Sequence, residues 1–293
     1  MKPAPFRYAS AQSLVHALAL KAGSGNEARF LAGGQSLIPA MNFRLAQPAL
    51  LIDLNPLDEL DFIRVENGVM RIGARTRYSK VEHAAEVARW QPLLAEVLPN
   101  IAHPQIRNRG TLCGNLAHAD PASELPAVML ACGARMHARS ATGERWIAAG
   151  DFFINLFETD LKPDEMLVEI ELPAMPERGG TAFIEVARRP GDYAMAGVAT
   201  TLSLDAHGRC NTASIALCNA GPTPMPASAA AQMLIGSDLG AEVIAAAAAQ
   251  AQREVQPNGN VHCTSDYQRH LAGVLTRRAL TSAAARARTG TPA

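Results

Sequence analysis

The sequence has few cysteines, and no two of them are spaced like a pair of metal ligands. The five thiols are odd in number and include no C-x-x-C pair, which excludes a zinc site or an iron–sulfur cluster held by this chain alone. Thiols scattered in this way are typical of a reduced, cytoplasmic protein. They are Cys113, Cys132, Cys210, Cys218 and Cys263.

The chain also lacks an excess of charge and a long apolar run. Lys+Arg and Asp+Glu both number 27, so the formal net charge is zero, which argues against a general nucleic-acid binder. We expect no secretory signal in the first residues, and the apolar stretch at residues 243–249 is too short for a transmembrane segment. The aromatic content of 5% gives no sign of a heteroaromatic pocket.

What the sequence does have is the composition of a folded protein. Of its 293 residues, 48% are hydrophobic and 18% are charged, which excludes a disordered chain. A chain of this length is too long for one small core and suggests two or three domains of ordinary size.

Two glycine-rich segments are the strongest candidates for a binding site. The first reads AGGQS at residues 32–36, and the second lies within RNRGTLCGNLAHADPASELP at residues 107–126. Glycines let the backbone turn where a Cβ would clash, and the N–H groups freed by such turns can bind one anion. The dinucleotide fingerprint G-x-G-x-x-G is absent. A lone AGGQS is more often a plain turn, but the two segments together favour a nucleotide site.

The other polar residues of these segments have plainer interpretations. His118 near Asp120 suggests a metal site or an acid–base pair, but loop side chains bonded to the backbone are the favoured interpretation. Ser36 and Thr111 have no activating base in a recognisable motif, so neither is a convincing nucleophile. We therefore predict no catalytic and no metal-binding residue in this chain.

Hydrophobic periodicity predicts mixed helices and strands up to about residue 172. Ser10 is the predicted N-cap of a helix that Gly23 ends, and residues 81–100 have the periodicity of a helix. Asn67-Gly68 and Thr142-Gly143 mark two hairpins, the second with strands at 134–140 and 144–148. The other predicted elements are strands at 28–32, 50–54 and 166–172 and helices at 37–45 and 125–131.

A domain boundary is predicted at residues 173–180, where PAMPERGG interrupts the pattern. Beyond it the chain alternates like three antiparallel strands and, after Pro226, becomes Ala-rich and helical. The predicted strands are at 181–187, 198–204 and 212–220, and the predicted helices at 227–235, 241–255 and 267–285. The tail at residues 289–293 is expected to be disordered.

Several longer motifs resemble one known family over nearly the whole chain. FRYASAQSL near the N-terminus, AGGQSL at residues 32–37 and IRNRGTLCGNLAHADPASELP at residues 106–126 carry most of the resemblance. LIDL, IGA and RRPGDYAMAG complete it. By these motifs the chain resembles the FAD-binding subunit, also called the medium subunit, of the molybdenum hydroxylase and xanthine dehydrogenase family. Carbon monoxide dehydrogenase and quinoline oxidoreductase contain such subunits.

The resemblance implies an α+β chain with a vanillyl-alcohol-oxidase-type FAD-binding fold, which is not a Rossmann fold. Two α/β subdomains, residues 1–55 and 56–177, would hold FAD between their glycine loops. A C-terminal domain at residues 178–286, with a three-stranded antiparallel sheet and a helix bundle, would cover the isoalloxazine end. Residues 287–293 would form a tail.

The resemblance also implies which two loops bind FAD. The first would wrap the pyrophosphate with backbone N–H groups, and the second would lie against the pyrophosphate and the ribityl chain. The family usually has Gly in place of Cys113, so this thiol must either fit beside the flavin or point away. The loop residues are Ala32, Gly33, Gly34, Gln35 and Ser36 in the first loop and Thr111, Leu112, Cys113, Gly114 and Asn115 in the second.

Five further positions are implied to contact the cofactor. Ile101 would pack near the adenine end, and Asp120 and Glu124 are candidates for the ribityl or ribose hydroxyls. Leu167 and Tyr193 would lie against the isoalloxazine, where a tyrosine could shield one face of the ring and move to admit an electron acceptor.

The function implied is electron transfer within a larger enzyme. A large partner subunit would oxidise substrate at a molybdenum cofactor, and a small partner subunit with 2Fe–2S clusters would pass electrons to FAD here, and so to an external acceptor. The assembly implied is a dimer of heterotrimers. Two alternatives stay open: a stand-alone FAD oxidoreductase, with His118 as its candidate base, and a nucleotide-binding or scaffold protein without redox turnover.

Overall fold

The computed structural model describes residues 1–290, which begin with a small parallel sheet. The central strand is buried along its whole length, and its apolar run LLID suits a strand covered on both faces. The elements are β1 (Arg7–Ser10), α1 (Leu14–Ser24), β2 (Ala28–Leu31), α2 (Leu37–Asn42) and β3 (Leu50–Asp53), with a 3₁₀ turn at Gly25–Glu27. The strands are parallel in the order β1-β3-β2.

The ends of the first two helices differ from the prediction. Ser10 belongs to β1, and Ser13 is the N-cap of α1, because its Oγ accepts from the N–H of His16 at 3.1 Å. The helix passes Gly23 and ends at Gly25, whose φ of 49° suits glycine. Helix α2 ends at Asn42 rather than at residue 45, since the chain then turns through a left-handed residue, Arg44.

A five-stranded antiparallel sheet with surrounding helices follows. Both predicted hairpins and the strand predicted at residues 166–172 are confirmed. The elements are β4 (Ile63–Glu66), β5 (Val69–Gly73), α3 (Tyr78–His83), α4 (Ala85–Trp90), α5 (Pro92–Val97), α6 (Pro104–Arg107), α7 (Leu112–His118), α8 (Glu124–Ala131), β6 (Arg135–Arg139), β7 (Glu144–Ala148), α9 (Ala149–Phe152), β8 (Phe153–Asn155), β9 (Glu158–Thr159) and β10 (Met166–Pro173). The sheet order is β4-β5-β10-β6-β7, and β8 pairs with β9.

The single helix predicted over residues 81–100 is wrong. The structure has α3, α4 and α5 there, followed by a 3₁₀ turn at Leu98–Asn100. Pro92 disfavours helical dihedrals at the residue before it, and Gln91 adopts φ −135° and ψ 73°. The apolar periodicity of the sequence continues through these helices because each of them still turns its apolar side to the core, as the buried residues Leu93 and Leu94 show.

The C-terminal part is a second antiparallel sheet with three helices packed on it. The three predicted strands and three predicted helices are confirmed, and a short fourth strand pairs with the last of them. The elements are β11 (Gly179–Val186), β12 (Ala196–Leu204), β13 (Cys210–Cys218), β14 (Met225–Pro226), α10 (Ser228–Leu234), α11 (Ala241–Glu254) and α12 (Ser265–Thr289). The predicted three-stranded sheet is therefore four-stranded, in the order β11-β12-β13-β14.

This C-terminal sheet is buried on both faces, which explains how it joins the two halves of the chain. Alternate residues such as Phe183 and Ala199 belong to the core that contains α8 and the five-stranded sheet. Their neighbours Ala182 and Val198 belong to the core formed with α10, α11 and α12. One sheet thus supplies a side chain to each of two cores at successive positions.

Helix α12 runs further than predicted at its C-terminal end. It continues through Thr289 and ends at Gly290, so the predicted tail does not begin at residue 287 or 289; residues 291–293 lie outside the described part. The domain boundaries at 55, 177 and 286 stay predictions. None of the helices within residues 1–290 is both long and apolar enough to cross a membrane.

Candidate functional site

The first glycine loop, residues 32–36, connects β2 to α2 and presents free backbone amides. The N–H groups of Gly33, Gly34, Gln35 and Ser36 donate to no acceptor within residues 1–290. Gly34 has a φ of 72°, which glycine adopts without strain. The Ser36 side chain makes no capping bond to α2, so its hydroxyl is also available. Unpaired amides where a loop enters a helix form a binding site for an anion.

The second glycine loop, residues 111–115, is largely helical, which corrects the prediction of a loop. Thr111 is the N-cap of α7, and its Oγ1 accepts from the N–H of Gly114 at 3.2 Å. Cys113, Gly114 and Asn115 therefore belong to the first turns of the helix. The amides of Thr111 and Cys113 donate to no acceptor within the described range, as expected at a helix N-terminus.

The two glycine loops touch each other. A Cβ built on Gly33 would lie 2.5 Å from the carbonyl oxygen of Arg109, 2.7 Å from Cα of Gly110 and 3.1 Å from the amide nitrogen of Thr111. No side chain fits at residue 33 unless the backbone of the second segment moves. The backbone of the first loop is thus packed directly on the backbone of the second segment at their junction.

Two side chains that the sequence interpretation missed connect these loops. Asn55, just after β3, donates from Nδ2 to the carbonyl oxygen of Ala32 at 3.1 Å. Arg77 donates to the Asn55 side-chain oxygen and to the carbonyl oxygen of Arg109. The sequence contained one signal for these two residues, which is their position. Asn55 follows the LIDL strand and Arg77 follows IGA, and both motifs belong to the family resemblance.

The Cys113 thiol points away from the loop. Its residue is buried, and Sγ lies 3.9 Å from the carbonyl oxygen of Ile72 in the five-stranded sheet. Burial raises the pKa of the thiol well above its ordinary range, so it stays protonated and unreactive. Of the two possibilities that the sequence left open, the structure selects the one in which the thiol leaves the loop free.

A group of polar residues follows the second loop. Asn115 exchanges hydrogen bonds with the Ser123 hydroxyl at 2.7 and 2.9 Å, and Asp120 accepts from the N–H of Ala122. Glu124 opens α8, is only 3% exposed and has no cationic partner within residues 1–290. Burial, with the nearby charges of Glu185 and Asp120 adding to it, raises the pKa of this carboxyl to about 8.

Tyr193 interacts electrostatically with this acidic group, whereas Ile101 and Leu167, which were also predicted to contact the cofactor, are core residues. Removal from water raises the pKa of the Tyr193 hydroxyl, and so do the nearby acidic groups Asp120 and Glu124. Its side chain is nevertheless 55% exposed. Ile101 and Leu167 are buried in the core, Leu167 opposite Ala138 in the pairing of β10 with β6.

The segment that carries Tyr193 is fixed by a close backbone contact. Gly191 has a φ of 84°, and a Cβ on it would lie 2.5 Å from the carbonyl oxygen of Ala102. Arg107 donates to the carbonyl oxygens of Ile101 and Ala102 and pairs with Glu82 at 2.8 Å, which holds that turn in place.

His118 closes α7 beside an aromatic ring. Its imidazole is half-buried, and its centroid lies 5.1 Å from that of Phe157. Burial lowers the pKa of His118, so the ring is neutral at pH 7.

Comparison with known proteins finds relatives over nearly the whole chain. Residues 4–175 match the family described as FAD binding domain in molybdopterin dehydrogenase, and residues 181–283 match the CO dehydrogenase flavoprotein C-terminal domain. The chain is 42% identical to the 6-hydroxypseudooxynicotine dehydrogenase complex subunit alpha of Paenarthrobacter nicotinovorans, over 98% of this chain and 97% of that one. It is 38% identical to the carbon monoxide dehydrogenase medium chain of Afipia carboxidovorans, over 98% and 100%.

A solved structure is also similar over the whole length of the chain. Quinoline 2-oxidoreductase from Pseudomonas putida contains a chain with a TM-score of 0.92 and 36% identity, and the match covers 100% of both chains.

Proposed function

The chain belongs to the family of FAD-binding medium subunits of molybdenum hydroxylases, and from this premise we propose that it is the electron-exit subunit of such a complex. It takes electrons from a partner iron–sulfur subunit and passes them to an external acceptor. The observation that carries the proposal is the contact between two glycine loops that leave the amides of residues 33–36, Thr111 and Cys113 unpaired within residues 1–290. Such a cradle suits a diphosphate, and FAD contains one.

The residues of both loops fit the cofactor. The amides of residues 33–36 would hold the diphosphate together with the Ser36 hydroxyl, and the free amides of Thr111 and Cys113 would add to them. Ala32 leads into the loop, and Gly33 permits the close approach because a Cβ there would strike the other loop. Gly114, which is exposed, and Asn115 lie next to the ribityl chain.

When bound, FAD supplies the redox chemistry, since it can accept and release electrons. Asp120 and Glu124 bind hydroxyl groups of the cofactor. Because the pKa of Glu124 is about 8, this carboxyl is protonated at neutral pH and can donate a hydrogen bond. Tyr193, more than half exposed, covers the side at which an acceptor enters. Ile101 and Leu167 support the site from within the core.

We assign the other centres of the complex to partner chains. One relative is named as a complex subunit and another as a medium chain, which supports a role inside a larger assembly. A small subunit with 2Fe–2S clusters and a large subunit with the molybdenum cofactor complete the enzyme, as a dimer of heterotrimers. A cytoplasmic location stays a prediction from the cysteines of the sequence.

Purification of this chain tests the cofactor, and purification with its partners tests the role. The chain alone is expected to show flavin absorbance in the near-ultraviolet and blue and to reduce no dye when organic substrates are added. The complex is expected to reduce the dye, and to lose that activity when flavin is stripped from this subunit. Substrate-dependent dye reduction by the chain alone contradicts the proposal, and so does full activity of a complex without flavin.

A further inference from the structure

The side chains of Asn55 and Arg77 form a continuous bridge between the two glycine loops. Asn55 uses both its backbone N–H and its Nδ2 to bind Oδ1 of Asp53, at 3.0 and 2.6 Å. The other oxygen of Asp53 accepts from the Tyr8 hydroxyl at 2.5 Å. With Nδ2 held by Asp53 and the carbonyl of Ala32, the Asn55 oxygen is directed to its one donor, Arg77.

Arg77 is held at its backbone and extends the bridge with its guanidinium. The chain beside it pairs with the second segment, since Tyr78 donates to the carbonyl oxygen of Gly110 at 3.0 Å. One guanidinium nitrogen donates to Asn55 and another to the carbonyl oxygen of Arg109. That same carbonyl is the atom against which Gly33 packs. The rigid fork of arginine therefore spans the junction at its closest point.

The bridge fixes the direction in which the first loop presents its amides. In a trans peptide the C=O and the N–H point to opposite sides of the chain. Because Asn55 holds the carbonyl of Ala32, the N–H of Gly33 points the other way, and that N–H has no acceptor within residues 1–290. An anion bound by the first loop is thus bound on the side that Asn55 selects.

Arg77 also brings a charge that has no direct ion-pair partner within residues 1–290, although Asp53 and Asp61 attract it at longer range. Within residues 1–290 no carboxylate lies at ion-pair distance from it, whereas its neighbour Arg75 pairs with Asp58 and Asp61. Loss of water around the guanidinium, then the positive charges of Arg109 and Arg75, lower the pKa of Arg77. A diphosphate in the adjacent cradle would relieve this repulsion.

We propose that Asn55 and Arg77 are positioning residues that lock the two glycine loops into one diphosphate cradle, with Asp53 as their anchor. They act by orienting the Ala32–Gly33 peptide and by tying Asn55 to the carbonyl of Arg109. This inference rests on the proposed binding of FAD. It assigns the orientation of the diphosphate-binding amides to residues that lie outside both loops.

Two isosteric or charge-retaining variants of the full chain test the bridge. Asn55→Asp keeps an acceptor for Arg77 but replaces the donor to Ala32 and to Asp53 with a second acceptor. Arg77→Lys keeps the charge but cannot reach two acceptors with a rigid fork. Arg71→Lys is the matched control, because Arg71 lies on β5 and binds Glu171 instead. The FAD affinity of each flavin-free chain is measured by fluorescence titration, and the melting temperature of each flavin-free chain is measured separately.

We expect Asn55→Asp and Arg77→Lys each to weaken FAD binding by about tenfold or more, while Arg71→Lys binds like the unaltered chain. The double variant should lose about as much as one single variant, because both residues act through one bridge. The flavin-free melting temperature of Arg77→Lys should fall no further than that of the control, whereas Asn55→Asp should melt lower because its new carboxylate faces Asp53. The idea is overturned if both variants retain wild-type affinity, if their losses simply add, or if the lower affinity of Arg77→Lys follows lower stability. Failure of the unaltered chain to bind FAD instead contradicts the proposed function.

Discussion

At the scale of single residues, Gly33 is the position where adding one methyl group is expected to affect FAD binding directly. In Gly33→Ala the new methyl group would meet the backbone of Arg109 and Gly110 at 2.5 and 2.7 Å, so the second segment must move away. Because the cradle depends on that contact, we expect FAD affinity to fall at least about tenfold, as measured by the flavin-to-protein absorbance ratio after dialysis.

Gly23→Ala is the matched control for this substitution. A Cβ at Gly23 meets nothing within 4 Å, and the residue lies in helix α1, where Ala is favoured over Gly by about 0.5–1 kcal/mol. This variant should be slightly more stable and keep its flavin. If Gly33→Ala also keeps a full complement of flavin, the junction of the loops does not control binding.

Glu124 is expected to make stability depend on pH. Its pKa is raised from 4.5 to about 8, so the folded protein holds this proton more tightly than the unfolded chain does. The resulting stabilisation is complete below about pH 4.5 and is lost as the pH rises to about 8. Glu185, whose pKa burial raises to about 7, acts in the same direction. Glu124→Gln mimics the protonated acid and should flatten this decline.

Urea unfolding of the flavin-free protein at pH 5, 6, 7 and 8 measures the effect. The unaltered chain should lose stability steadily over this range, and Glu124→Gln should lose less, with the remaining slope due to Glu185. Glu86→Gln, at an exposed position, should follow the unaltered chain. Parallel curves for Glu124→Gln and the unaltered chain would mean that this carboxyl is ionised throughout.

The sequence predicted residues of this site where they form motifs and missed them where they stand alone. Glycines in AGGQS carry their own physical reason, because only glycine allows the turn and the close approach. Asn55 and Arg77 are ordinary polar residues next to strands, and their role follows from which carbonyls the fold brings within reach. The direction of the Cys113 thiol was open for the same reason, since it depends on how α7 is rotated over the sheet.

At the scale of elements, the closest packing in the C-terminal part is between β11 and α12. A Cβ on Gly180 would lie 1.9 Å from the carbonyl oxygen of Ala283 and 2.8 Å from the amide nitrogen of Ala287. In Gly180→Ala the helix must move off the strand, and we expect a loss of about 3 kcal/mol or more in unfolding free energy. Chemical denaturation followed by circular dichroism measures this loss.

A glycine with open space around it provides the comparison. Gly150 lies in α9, and a Cβ placed on it would meet nothing within 4 Å, so Gly150→Ala should be neutral or slightly stabilising. Equal stability of the two variants would show that α12 can shift on β11 at little cost.

Elements with strong local signals were predictable, and those specified by their neighbours were not. The two hairpins follow from Asn67-Gly68 and Thr142-Gly143, whose turn chemistry is local. Strand β14 has only two residues and exists because β13 offers a free edge. The helix predicted over residues 81–100 failed because apolar periodicity continues across Pro92, whereas the backbone does not.

At the scale of the whole molecule, the C-terminal sheet connects the two cores. Its successive residues face opposite cores, so neither core is closed without it. The sequence predicted the strands of this sheet from alternation, but alternation cannot say which element covers each face. That assignment depends on where α8 and α12 lie after folding, which is a property of the complete chain.

Arg286 on α12 is expected to hold the C-terminal helix to the FAD-binding part. Its guanidinium donates to Glu96 at 2.8 Å and to the carbonyl oxygen of Thr181 at 2.6 Å, so one side chain joins α12 to α5 and β11. Arg286→Met keeps the aliphatic length but leaves both acceptors unpaired, which should cost about 1–3 kcal/mol of unfolding free energy. Arg269→Met is the control, because the Asp266 partner of Arg269 is 92% exposed and such pairs contribute little. Limited proteolysis should release the C-terminal part faster from Arg286→Met than from the control. The FAD affinity of Arg286→Met should stay within about twofold of that of the unaltered chain, because neither glycine loop is altered. Equal cleavage rates would show that apolar packing of the sheet alone holds the two parts together.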